Sequence, residues 1–142
     1  MRPFFLAALI LLPCSIWATD PAVWSAVILA TNEEKPKEMP AELRMFKQKL
    51  QNVFGYNQFE LIGQHTEPMD DPSERWLIPS KNFSVRVGSK SEQKNGYAMN
   101  LELFEDQRML ARFDAHLGAQ SPLFIRGPMY AGGQVIILMM VK

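Results

Sequence analysis

Two stretches near opposite ends of the chain, "AVWSAVILA" and "VIILMMV", are apolar on both faces of an extended backbone. In the first, Trp24, Ala26, Ile28 and Ala30 alternate with Val23, Ser25, Val27 and Leu29, and both sets are almost entirely apolar. In the second, every residue from Val135 to Val141 is apolar. A strand of this kind has to be covered on both faces. Seven residues are too few to cross a bilayer as a helix, which takes about 20. The remaining strand-like segments lack the repeated length and outward apolar band of a membrane barrel. The simplest arrangement makes the two stretches central neighbours in one sheet, with a different layer packed on each side.

The segment "AELRMFKQKLQNVFG" supplies one of those layers. Leu43, Phe46, Leu50, Val53 and Phe54 recur at helical spacing, with Arg44, Lys47, Lys49 and Gln51 between them. Pro40 stands where a helix can begin and Gly55 where one can end. The spacing predicts an amphipathic helix over 41–54, its apolar stripe laid on a sheet.

Beyond Gly55 the period is two. "YNQFELIGQH" places Phe59, Leu61 and Gly63 on one side. "RWLIP" and "FSVRVGS" read as short strands. "KSEQKNG" is a polar turn whose "NG" signals a hairpin. "YAMNLELF" puts Tyr97, Met99, Leu101 and Leu103 on one face, and Asn100 and Glu102 on the other. "MLARFDAHL" groups Met109, Ala111, Phe113, Ala115 and Leu117 against Arg112, Asp114 and His116. "SPLFIRGP" is a further strand, and "MYAGG" turns the chain into the last one. The fold class that follows is α+β: a mostly antiparallel sheet or a two-layer β-sandwich, with one amphipathic helix packed on it.

The first eighteen residues, "MRPFFLAALILLPCSIWA", have the layout of a secretory signal peptide: Arg2, an apolar run from Phe4 to Leu12, and a short segment ending at Ala18. Pro13 directly before Cys14 argues against lipidation of that cysteine. The expected organisation is a signal peptide over 1–18 and a single α+β domain over 19–142. Fourteen basic and fifteen acidic residues then remain, so the charge balance gives no footprint for nucleic acid. The single cysteine, Cys14, leaves with the signal. An exported domain without disulfides suits a bacterial envelope better than an animal extracellular space. "NFS" at Asn82 matches a glycosylation acceptor, a fortuitous match in that setting.

Motifs for chemistry are sparse. His65 and His116 fall in no metal-ligand spacing. "EPMDDPSE" clusters Glu67, Asp70, Asp71 and Glu74 without the D-x-D-x-D-G spacing of a calcium loop. The glycines of "RGPMYAGGQ" precede a strand, whereas a phosphate cradle would open a helix. No G-x-S-x-G is present. No cofactor, metal or catalytic residue is expected. The residues singled out as a candidate ligand or partner surface are Trp76, Tyr97, Arg112, Asp114 and His116.

"VFGYNQFELIGQ" after an amphipathic helix, followed about sixty residues on by "SPLFIRGPMYAGGQVIILM", resembles a group of small secreted proteins of Gram-negative bacteria. That resemblance implies export, to the periplasm or outside the cell, and the order strand, helix, sheet. It carries over no catalytic residue. The sequence-level expectation is an exported, non-enzymatic envelope protein acting as a protein-interaction or assembly module. Its expected partner is an envelope or secretion-system protein, and no stable membrane span is expected in the mature chain. The alternative is a carbohydrate or small-ligand binding module that uses the region of Trp76 and Tyr97. A hydrolase with unmarked carboxylates ranks third.

Overall fold

The computed structural model describes residues 22–68, 75–77, 82–94, 96–118 and 121–142. The expected signal peptide with Cys14, and Asp70, Asp71 and Glu74 of the acidic loop, lie outside them. The chain forms strand β1 (Ala22–Thr31), a 3-10 helix (Ala41–Phe46), helix α1 (Lys47–Phe54) and strand β2 (Gln58–Pro68). It continues as β3 (Arg75–Leu77), β4 (Phe83–Gln93), β5 (Gly96–Glu105), β6 (Arg108–Gly118), β7 (Leu123–Tyr130) and β8 (Gly133–Val141). Two four-stranded sheets result, in the orders β2-β1-β8-β7 and β3-β4-β5-β6. Every pairing is antiparallel.

The two doubly apolar stretches are hydrogen-bonded to each other at the centre of the first sheet. Ala26 pairs with Leu138 and Ile28 with Ile136, and these side chains share a cluster with Leu43, Phe46 and Leu50 of the helical segment. Val27 pairs with Ile137 and Val23 with Val141. This second set meets Phe83, Val85, Val87, Met99, Leu101, Leu103 and Leu117 of the other sheet. One pair of strands therefore feeds two separate cores. The fold is the expected α+β arrangement of sandwich-like sheets with a short helical layer.

The helical segment departs from a single helix. Its first part is a 3-10 turn, whose three residues per turn stack Leu43 and Phe46 over each other. The α-helical part then carries the buried stripe through Leu50 to Phe54 at four-residue steps. Val53, expected on the apolar face, is rotated off it and is 54% exposed. Gly55 closes the helix in the left-handed conformation at φ 71°.

Two β-bulges shift the expected alternation. In β2 the register moves from Val27–Gly63 to Ile28–Leu61, leaving Ile62 as the extra residue. Phe59 and Leu61 face the helical layer, Ile62 packs between the sheets, and Gly63 falls out of phase with Leu61. In β6 the register moves from Leu103–Ala111 to Phe104–Met109. Leu110 then takes the place by the core expected for Met109, which is 45% exposed. One inserted residue reverses the facing of everything beyond it. The last hairpin turns on Ala131 and Gly132 alone, both at positive φ (49° and 79°), as a two-residue primed turn requires. Asn82, the formal glycosylation acceptor, donates its amide N–H to Tyr130 Oη at 2.9 Å.

Because the two faces of β8 serve different cores, Ile137→Ala and Leu138→Ala should each destabilise the protein by about 2–5 kcal/mol, while Val53→Ala should change stability by less than about 0.5 kcal/mol. Urea titration of the three variants checks this. A silent substitution at either 137 or 138 contradicts burial on that face.

Candidate functional site

Three of the five residues singled out by sequence share the outer face of the second sheet. Arg112, Asp114 and His116 alternate along β6 and are exposed. Their register partners on β5 are Glu102, Asn100 and Ala98. Trp76 enters the same cross-strand row through its pairing with Arg86, which pairs in turn with Glu102. Tyr97 does not join them. It pairs with Leu117 and packs against the core between the sheets.

The organising residue of that outer face is Glu102, which alternation alone places in water. It is 3% exposed because two arginines close over it. Arg86 Nη2 donates to Glu102 Oε1 at 2.8 Å and Arg112 Nη2 to the same oxygen at 3.4 Å. Asn100 Nδ2 donates to Asp114 Oδ1 at 3.2 Å, so this carboxylate is engaged by an amide. Gly88, the extra residue of a bulge in β4, leaves the room this network needs: a Cβ there would stand 3.2 Å from Asn100 Oδ1. The charges largely compensate one another, and the row carries no nucleophile paired with a base. It is a cross-strand polar lattice that stabilises the sheet.

A second polar pair lies on the edge strand β2, where His65 Nε2 meets Glu67 Oε2 at 2.8 Å. Among the described residues no three His, Cys, Asp or Glu side chains come together as a metal site. None of the helices there is long and apolar enough to cross a membrane.

Among the described residues a concave feature lies on the opposite side of the molecule, beside the helical layer. That layer covers the middle of β1 and β8 but leaves their Trp24–Met140 end partly open. A groove of about 560 Å³ results. Met45, Phe46 and Lys49 form one wall, and Pro122, Met140, Val141 and Lys142 form the other. A smaller recess of about 250 Å³ continues it toward Trp24, Glu42 and Gln64, sharing Met45, Phe46, Met140 and Lys142. Trp24 is held by its indole N–H, which donates to Gln64 Oε1 at 3.1 Å, and by stacking on Phe46 at 6.1 Å. Met45 stands at the lip, 75% exposed.

Sequence reasoning passed over these residues for a definable reason. Met45 and Lys49 fall on the polar side of the helical pattern, and Met140 and Val141 read as interior strand. Their meeting depends on how far the helical layer reaches along the strands. The available signal was Met45, an apolar residue amid the charged positions of an amphipathic helix.

Removing the Glu102 carboxylate takes away the shared acceptor of two guanidinium groups at a buried position. Glu102→Ala should cost about 2 kcal/mol, and Arg112→Ala, whose side chain is 59% exposed, less than about 1 kcal/mol. Chemical denaturation of both variants reads the difference. Equal losses would contradict the central place given to Glu102.

Comparison with protein-family models, with curated proteins and with solved structures finds no match, so the role of this molecule rests on its own geometry.

Proposed function

We propose that this chain is an exported, non-enzymatic envelope protein that works by binding, and that the groove beside the helical layer is where it binds. The groove is the observation that carries this reading. Export is supported by the layout of residues 1–18 and by the resemblance to small secreted proteins of Gram-negative bacteria.

Of the two binding roles expected from the sequence, the groove favours the small ligand. Its roughly 560 Å³ falls within the 300–1,000 Å³ typical of small-molecule sites, and its walls are mainly apolar with a few polar groups at the margin. A stable protein contact covers about 800 Å² on each partner, more than this cleft offers. A carbohydrate surface on Trp76 and Tyr97 gains no support, because Tyr97 packs toward the interior.

A protein-interaction or assembly role keeps one specific observation in its favour. Met45 and Val53 expose apolar side chains on the same helical layer (75% and 54%), outside any core. A partner seated over the groove would cover Met45.

A photo-crosslinking residue placed at position 45 and, separately, at exposed Met109 on the second sheet tests the reading in envelope preparations. The expected result is a discrete adduct from position 45 with none from 109: a small mass increment for a ligand, a protein-sized one for the second reading. No adduct from 45, or the same adducts from both positions, contradicts the groove as the binding site.

A further inference from the structure

Two lysines line the groove, and no Asp or Glu side chain does. Four aromatic rings run in a row where the helical layer meets the sheet. Trp24 stacks on Phe46 at 6.1 Å, Phe46 meets Phe124 edge-on at 6.1 Å, and Phe124 meets Phe54 at 6.2 Å. Three cations are set over this row. Lys142 Nζ lies 4.9 Å from the Trp24 ring centre, Lys49 Nζ 5.2 Å from that of Phe124, and the Arg126 guanidinium 5.2 Å from that of Phe54.

Arg44, Arg86, Arg108 and Arg112 each have a carboxylate partner within 4 Å. Among the described residues, Lys49, Lys142 and Arg126 have none, as is also true of Lys35, Lys37, Lys47 and Lys94; what distinguishes the three is their seat over aromatic rings. The chain carries no net charge, so the cluster is a local arrangement. A ring face holds a cation in position electrostatically while leaving its N–H groups free to meet an acceptor. Lys49 and Lys142 both line the 560 Å³ groove, and no acidic residue lines it. Glu42 stands only at the smaller recess.

The floor between the two ammonium groups is apolar and adaptable. Met45 and Met140 are unbranched side chains that fit themselves to an irregular apolar partner, and Phe46 supplies a flat surface between them. An occupant that satisfies both parts has an extended hydrocarbon portion and one anionic end.

We propose that the groove binds a single-chain anionic amphiphile of the fatty-acid class. Its acyl chain lies on Met45, Phe46 and Met140, and its carboxylate is met by Lys49 or Lys142, the two ammonium groups at the margins of that floor. This inference rests on the reading of the groove as the binding site and adds the chemical class of what enters it.

Isothermal titration of the purified protein with decanoate, decyltrimethylammonium and decyl maltoside, each below its micellar concentration, tests it. Decanoate should bind one per chain, at least about tenfold tighter than the other two, a margin equal to one well-placed ionic contact. Lys49→Glu/Lys142→Glu should abolish that margin while leaving decyl maltoside binding unchanged. Both positions are exposed, so an unaltered melting curve accompanies the loss. Equal affinity for all three head groups, or decanoate binding untouched by the double substitution, overturns the anionic specificity and leaves the groove as an apolar site. Binding of none of the three overturns the amphiphile altogether, and the crosslink at position 45 then decides separately whether the groove binds anything.

Discussion

The pairing of β1 with β8 is the constraint on which the other features depend. These strands come from opposite ends of the described chain and run together through eight register pairs, from Val23–Val141 to Ala30–Gln134. Their backbone polar groups sit where water does not reach, so each needs a partner in the ladder. Their side chains are apolar above and below, so neither face of the pair can be left to solvent. A sheet with this centre needs two covers.

The two covers are unequal, and that inequality produces the apolar cleft beside the helical layer. On the inner face, a whole four-stranded sheet supplies Phe83, Val85, Val87, Met99, Leu101, Leu103 and Leu117. On the outer face, the cover is one 3-10 turn and an eight-residue helix. Leu43, Phe46 and Leu50 seal the centre of that face. Past them the Trp24–Met140 end lacks a continuous lid, and Phe46, Lys49 and Lys142 border the opening. The binding reading and the architecture thus share a physical origin: a short helical segment on a longer strand pair.

Much of this architecture was legible in the chain. The doubly apolar stretches named the central strands, Pro40 and Gly55 bounded the helical segment, and the alternation of Met99, Leu101 and Leu103 named the inner face of β5. The bulges were not legible. Met109 and Leu110 are both apolar, and only pairing with β5, set by the turn at Asp106–Gln107, decides which one faces inward. The burial of Glu102 escaped for a similar reason. Its shelter comes from Arg86 and Arg112, sixteen and ten residues away along the chain and adjacent only across the strands. The groove was the least legible feature. Periodicity reports which face of an element is apolar; it does not report how far one layer extends over another. Of the residues singled out from sequence, Arg112, Asp114 and His116 do share a face, but that face is a self-compensating polar lattice, whereas the concave site lies across the molecule.

The most direct test of this account is amide hydrogen exchange along β8 in the isolated protein. With β8 paired to β1 and β7 and covered above and below, the amides of Ile136–Met140 should exchange only through opening of the whole domain, with protection matching its global stability. Exchange of those five amides at the rate of an unstructured peptide, while β5 stays protected, would contradict a central buried strand and the two-sided core built on it.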